Sequence, residues 1–77
     1  MILGYNEQLK RYGILDFDLW VKGKDGLNCG ATFEVLINDE WVADSIEMYK
    51  GEWYLVNSGL KGDQLEGLKV RLKGAIS

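Results

Sequence analysis

The fold is decided by residues 31–57, which read ATFEVLI-NDE-WVADSIEM-YKGE-WYLVN. Phe33, Val35 and Ile37 alternate with Thr32, Glu34 and Leu36, a period of two that predicts a β-strand buried on one face and partly covered on the other. Two short polar segments, residues 38–40 and 50–52, interrupt the apolar pattern and predict tight hairpins. Residues 31–57 therefore predict three consecutive antiparallel strands.

Further segments rich in β-branched and aromatic residues lie on both sides of this stretch. In the last of them, Lys69, Arg71 and Lys73 alternate with Leu68 and Val70, so one face is basic and the other apolar. We predict strands at about residues 1–5, 11–15, 31–37, 41–48, 53–57 and 67–73. Short strands at such regular spacing favour an all-β fold. We expect a small SH3-like barrel of five to six short antiparallel strands, with residues 1–77 forming a single domain.

The fourth predicted strand is less regular than its neighbours. Trp41 and Ala43 share one parity, whereas Ile46 and Met48 have the opposite one. A β-bulge near residues 44–45 would place all four side chains on the core side. We therefore predict a bulge at that point.

The number of aromatic residues is large for a chain of this size. Three Trp, four Tyr and two Phe are more than a 77-residue barrel can hide. Adjacent Trp53 and Tyr54 point to opposite faces of a regular strand, so one of them is exposed or covered by another subunit. A single small core supplies only about 3–5 kcal/mol, and no disulfide adds to it. We therefore expect association with a partner, and a homo-oligomer in particular.

The amino-acid composition excludes several classes of function. The chain has no histidine and a single cysteine, so it cannot build a Ser-His-Asp or Cys-His catalytic unit, a His-based metal site or a Cys-rich zinc knuckle. We expect no enzyme activity, no catalytic residues, no metal and no cofactor. A net charge of −3 argues against general nucleic-acid binding, which requires surplus lysine and arginine.

The expected localisation follows from the cysteine and the apolar segments. Cys29 cannot form an internal disulfide, and exposed free thiols are uncommon in oxidising compartments. Met1-Ile2-Leu3 is followed at once by Gly4-Tyr5-Asn6, so we expect no secretion signal. The longest apolar run, residues 53–56, is far shorter than the ~20 residues that span a bilayer. We expect a cytoplasmic protein with no membrane partner.

Several motifs taken together resemble a known family. They are Gly4-Tyr5-Asn6 with Arg11-Tyr12, Leu27-Asn28-Cys29-Gly30 before Phe33-Glu34-Val35, Trp41-Val42 before Ile46-Glu47, Trp53-Tyr54-Leu55-Val56, and Leu65-Glu66-Gly67-Leu68-Lys69-Val70-Arg71. Over residues 2–72 the chain resembles a family of small single-domain proteins, known as a domain of unknown function, from Gram-positive bacteria, their phages and mobile elements. The resemblance implies an accessory protein of mobile elements, in a cytoplasm where phage and host compete. The family is usually shorter between its second and third strands, which leaves the layout of residues 16–26 open.

Three further motifs have structural explanations. Acidic residues at 16/18 and 39/40/44 could act as acid–base pairs, but acids in turns usually cap backbone amides. Cys29 lacks a neighbouring base, so we expect a small buried side chain at a tight turn that Gly30 makes possible. Residues 59–63 lack the spacing of a phosphate-binding loop, and we expect a short turn or a single 3₁₀ turn there.

The basic side of the last predicted strand carries the best functional signal. Lys69, Arg71 and Lys73 lie there, and the N-terminal hairpin carries aromatic residues that can come near them. Aromatic rings beside arginine and lysine can stack on a base and neutralise a phosphate. A charged outer face that discourages edge pairing explains the same residues. As a ligand site we predict Tyr5, Arg11, Tyr12, Trp53, Lys69 and Arg71.

Two functions remain open at this stage. The first is a non-enzymatic binding protein of a phage or mobile element, an anti-defence inhibitor or sponge that sequesters a small anionic, nucleotide-type ligand. The predicted basic residues would meet phosphate or ribose groups, and one of the aromatic rings would stack on the base. The alternative is a protein–protein adaptor or inhibitor that binds a host protein through an exposed strand edge or an aromatic patch.

Overall fold

The computed structural model describes residues 1–72, which form short strands and one 3₁₀ turn. In chain order the strands are β1 (Ile2–Asn6), β2 (Arg11–Asp16), β3 (Leu19–Trp20), β4 (Thr32–Ile37), β5 (Glu40–Tyr49), β6 (Glu52–Leu55) and β7 (Val70–Arg71). The 3₁₀ turn covers Gly62–Leu65, close to where the sequence predicts one. Each predicted strand overlaps an observed one, and β3 is an additional strand in the segment left open. Lys73, predicted to belong to the last strand, lies outside the described residues.

The strands form two antiparallel sheets. The first has the order β1-β2-β3, and the second has the order β6-β5-β4-β7. The sheets meet along one seam, where the Leu3 N–H donates to Leu68 O and the Val70 N–H donates to Met1 O, both at 2.9 Å. The all-β prediction is confirmed. The described residues nevertheless form two sheets rather than the closed barrel that the strand spacing suggests.

Three hairpins turn through two residues that both have positive φ, as in type I′ turns. These pairs are Asn38-Asp39 between β4 and β5 (φ 50° and 66°), Lys50-Gly51 between β5 and β6 (51° and 81°), and Phe17-Asp18 between β2 and β3 (51° and 65°). The hairpins predicted at residues 38–40 and 50–52 are therefore confirmed. Asp39 and Glu40 are exposed at the end of the first of them.

A single core lies between the sheets. Its fully buried side chains come from the 3₁₀ turn and from every strand except β3: Leu3, Ile14, Phe33, Val35, Ile46, Leu55, Leu65 and Val70. The alternation predicted for β4 is present, because Phe33 and Val35 are 0% exposed, whereas Thr32, the residue before Phe33, is exposed. No helix among residues 1–72 is long and apolar enough to cross a membrane.

The predicted bulge in β5 is wrong. The pairing with β4 is continuous, from Ile37↔Glu40 to Thr32↔Ser45, with no inserted residue. Trp41 and Ala43 therefore lie on the exposed side of the strand. The change of parity in the sequence arises because Asp44, a polar residue that is only 6% exposed, occupies a position on the core face.

The prediction of a buried Cys29 is also wrong, since its side chain is exposed. Cys29 lies in the loop before β4, beside Gly30, whose φ is 90°. The Gly30 N–H donates to Ile46 O at 2.8 Å and so continues the pairing of the loop with β5. The turn uses glycine as expected, but it directs the thiol to solvent.

Candidate functional site

A cavity of about 500 Å³ lies where the β1–β2 hairpin, the β5–β6 hairpin and the 3₁₀ turn meet. Its walls include three predicted ligand residues, and we call it the aromatic cavity: it is lined in part by Tyr5, Tyr12, Trp53, Lys10, Glu52 and Asp63. Volumes of roughly 300–1,000 Å³ are usual for small-molecule sites. The cavity is thus large enough for a ligand of that kind.

Tyr5 and Tyr12 form one wall of the aromatic cavity. They lie directly opposite each other on β1 and β2. Their ring centroids are 5.2 Å apart, with the planes at 71°, an edge-to-face arrangement. The Tyr12 hydroxyl donates to the Gly62 carbonyl at 3.2 Å and ties the hairpin to the 3₁₀ turn. Tyr5 is 39% exposed, so its ring is the accessible one.

The Tyr12 hydroxyl stays protonated well above neutral pH. Burial raises the pKa of Tyr12 above its ordinary value, and the carboxylates of Glu66 and Asp63 together with Tyr5 raise this pKa further. The hydroxyl is therefore a neutral donor, and the tie to Gly62 is intact at physiological pH.

Trp53 forms a second, more deeply placed part of the cavity. It is 8% exposed, whereas its neighbour Tyr54 is only half-buried, which confirms that the two rings are not both buried. The Arg11 guanidinium lies 5.9 Å from the centroid of the Trp53 ring system. Arg11 Nη1 also donates to Leu27 O at 3.1 Å. Arg11 therefore supports Trp53 from outside the cavity lining rather than facing the cavity itself.

The charged groups around the aromatic cavity are mixed. Lys10 supplies one cation, and Glu52 and Asp63 supply two carboxylates. Sequence reasoning missed Lys10, although its place in the turn of the aromatic hairpin, next to Arg11, was an available signal. Among residues 1–72, no group of three or more acidic or cysteine side chains is placed to hold a metal ion.

The predicted residues Lys69 and Arg71 do not line the aromatic cavity. Arg71 lies on β7, where its Nε donates to the Glu34 carboxylate at 2.6 Å. Its guanidinium also lies 4.5 Å from the centroid of the Trp41 ring system. The predicted ligand set is therefore divided between two places in the fold, and the Arg71 interactions are those of a charged outer sheet face.

A second surface feature is the β2–β3 hairpin, whose apolar residues we call the apolar hairpin tip. Phe17, Leu19 and Trp20 are 94%, 73% and 38% exposed. Asp16 and Asp18, next to them in the chain, are exposed as well. The sequence signals of this feature are the unusual length of the segment and the surplus of aromatic residues in the chain.

Comparisons with known proteins give a family and a solved relative. The sequence model of a family described as "Domain of unknown function (DUF5348)" matches residues 1–72. The crystal structure of a protein from Ruminococcus gnavus, solved by the Northeast Structural Genomics Consortium, is similar, with 39% sequence identity and a TM-score of 0.70. That similarity covers 91% of this chain and 94% of the other. No curated protein matches.

Proposed function

This chain belongs to the family described as Domain of unknown function (DUF5348), and we propose that it is a non-enzymatic binding protein that sequesters a small nucleotide-type ligand in the aromatic cavity. One observation carries this proposal. Three aromatic residues chosen from the sequence, which lie on β1, β2 and β6, line the same cavity of about 500 Å³. Tyr5, the accessible ring of the three, can stack on any base, while Tyr12 and Trp53 are buried beside it.

The charges around the aromatic cavity restrict which nucleotide-type ligands it can bind. With one lysine and two carboxylates in its lining, the cavity is unsuited to several phosphate groups. Lys10 can neutralise a single phosphate, while Glu52 and Asp63 can accept hydrogen bonds from ribose hydroxyls or a base amino group. A nucleoside or a nucleoside monophosphate fits this combination better than a nucleoside triphosphate does.

The finer setting of this function comes from the resemblance given above. We place the protein in the cytoplasm of a Gram-positive bacterium, encoded by a phage or mobile element, where it would act against host defence as a sponge. The two sheets joined along one seam would correspond to an opened SH3-like barrel. Lys69 and Arg71 would contact a part of the ligand distant from its base, or they would contact another copy of the chain in a homo-oligomer.

Calorimetric titration with mononucleotides tests the proposal. We expect at least one of AMP, GMP, CMP and UMP to bind, and the matching triphosphate to bind more weakly. Tyr5→Ala should weaken binding about 5- to 150-fold, since stacking on one base contributes ~1–3 kcal/mol. Tyr49→Ala, an exposed tyrosine outside the aromatic cavity, is the matched control.

Lys10→Ala separates the phosphate contact from stacking. It should weaken binding of the monophosphate and leave binding of the corresponding nucleoside unchanged, with Lys22→Ala as control. The proposal fails if none of the four mononucleotides or their nucleosides binds. It also fails if native mass spectrometry of the protein recovered from phage-infected bacteria shows no retained small molecule. The same spectrum reports the number of subunits, and a retained protein would favour the adaptor function instead.

A further inference from the structure

The apolar hairpin tip departs from two general rules of protein folding. The first concerns burial, because Phe17 and Leu19 are 94% and 73% exposed in a small protein with few apolar side chains to spare. Neither these two residues nor Trp20 is among the side chains packed against the core. Their exposure therefore brings the fold no stability.

The second rule concerns turn chemistry. Phe17 has φ 51°, a left-handed conformation in which a bulky side chain is disfavoured and Asn or Gly is usual. Of the two other hairpins with such turns, β4–β5 has Asn38 at the same first position, and β5–β6 has Lys50 there, followed by Gly51. Strain of this kind is most often found at sites of function. A strained and fully exposed phenylalanine is thus a feature that folding alone does not explain.

The shape of the tip favours insertion into a pocket. Leu19 and Trp20 are neighbours in β3, so their side chains point to opposite faces of the hairpin, while Phe17 lies at its end. A flat partner surface would cover only one of these faces. The three exposed side chains together offer on the order of 400 Å², about half of the ~800 Å² that each partner contributes to a stable interface. An interface made by the tip alone would therefore be small, as in weak or transient complexes.

The charges at the tip further restrict the kind of partner surface that it can bind. Asp16 and Asp18 would be repelled by an anionic membrane surface. They would also be repelled, on balance, by the aromatic cavity of a second copy, whose two carboxylates outnumber its single lysine. A lysine or arginine at the edge of the partner's pocket would instead complement them.

We propose that the apolar hairpin tip is a docking element that inserts into an apolar pocket of another protein, edged by lysine or arginine residues. Phe17 is the anchor, Leu19 and Trp20 fill the pocket walls, and the two aspartates pair with the basic edge. This surface is separate from the aromatic cavity, and the proposal does not depend on ligand binding there.

Site-specific photo-cross-linking of the full chain tests this docking element. A benzophenone amino acid replaces Phe17 in one preparation and Asp39, at the polar end of the β4–β5 hairpin, in the control preparation. Both are irradiated in a lysate of Ruminococcus gnavus, the source of the solved relative. We expect position 17 to yield at least tenfold more cross-linked protein, attached at apolar residues close in sequence or structure to lysine or arginine.

The charge reversal Asp16→Lys/Asp18→Lys should reduce that product at least tenfold, whereas Glu7→Lys, an exposed acid elsewhere, should not. Equal yields at positions 17 and 39 would overturn the proposal. A cross-linked product made only of two copies of this chain would also overturn it. The same holds if the charge reversal leaves the yield of cross-linked product unchanged. Cosedimentation of the unmodified protein with phosphatidylcholine vesicles, lost on Phe17→Ser, would show a membrane element instead.

Discussion

At Asp44, a carboxylate stands where the alternation of β5 would place an apolar side chain. It accepts hydrogen bonds from the backbone N–H groups of Ser45, Asn57 and Ser58 at 2.8, 2.7 and 2.9 Å. Asn57 and Ser58 belong to the loop after β6, so this one side chain holds that loop against the central strand. Such a buried acid is stable because its acceptors are used by backbone donors.

Asp44→Ala should lower the free energy of unfolding by about 3 kcal/mol, since it leaves these backbone donors without their charged acceptor. Asp44→Asn keeps one acceptor oxygen and should cost less. Asp25→Ala, which removes an exposed carboxylate, is the control. Urea denaturation of the three variants and the wild type measures the difference. Equal stability of Asp44→Ala and Asp25→Ala would contradict the role given to Asp44.

Tyr12 predicts how stability depends on alkaline pH. Burial, followed by Glu66, Asp63 and Tyr5, raises the pKa of its hydroxyl in the folded state. The unfolded chain therefore loses this proton first, and the stability contributed by Tyr12 is fully present below about pH 10. It is lost progressively as the pH rises from there through the folded-state pKa.

Tyr12→Phe should reduce the alkaline loss of stability, although it also removes the hydrogen bond to Gly62 and so lowers stability at neutral pH. Thermal unfolding measured from neutral pH to above pH 10 checks this slope. Tyr49→Phe, which alters an exposed ring, is the matched variant. A pH slope in Tyr12→Phe identical to that of the wild type would rule out the linkage.

At the scale of elements, the three two-residue hairpins differ in how well their sequences fit their geometry. Asn38 and Phe17 occupy the same first position of a left-handed turn, with φ 50° and 51°. Phe17→Asn should therefore raise the free energy of unfolding by about 1 kcal/mol, because asparagine tolerates this conformation better. The reverse change, Asn38→Phe, should lower it by a similar amount.

Differential scanning calorimetry measures both hairpin variants. For a chain of this length, 1 kcal/mol corresponds to a shift of about 4–8 °C in Tm. A lower Tm for Phe17→Asn would mean that the phenylalanine stabilises the fold, which would remove the strain argument for the docking element. Asn38→Phe is the control, since it places phenylalanine at the same turn position in a hairpin whose tip is polar.

The strands themselves could be predicted from the sequence because alternation and turn residues are local signals. β4 is an example, since Phe33 and Val35 face the core as their spacing requires. β5 was mispredicted at Asp44 because the donors that make its burial possible lie in a loop distant in sequence. The position of Cys29 likewise depends on how its loop pairs with β5, which no local pattern shows.

The candidate site was only partly predictable for the same reason. Tyr5 and Tyr12 could be grouped because they pair within one hairpin. That Trp53 lines the same cavity, and that Arg71 does not, depends on how the two sheets are arranged. Arg71 drew attention through its charge, but its partners are Glu34, directly opposite on β4, and Trp41, one strand further on β5, which the chain order does not reveal.

At the scale of the whole molecule, the seam between β1 and residues 67–70 joins the two small sheets, and we expect them to unfold as one cooperative unit. Leu3 contributes to it twice, because its N–H donates to Leu68 O and its side chain is 0% exposed in the shared core. Neither sheet buries a face without the other. The core of a chain of this size contributes only about 3–5 kcal/mol of stability. Neither sheet should remain folded without the other, so opening the seam should unfold both sheets.

Native-state hydrogen exchange tests this cooperativity. The amides of Leu3 and Val70, which bond across the seam, should exchange with the same free energy as Phe33 and Val35 at the centre of the second sheet. That free energy should equal the global value from denaturant unfolding. The Val21 amide, which follows the short edge strand β3 and donates to Ile14 O at 2.8 Å, should exchange through local opening at lower cost. If the seam amides instead exchanged well below the global value, the two sheets would open independently and the β1 seam would be a hinge.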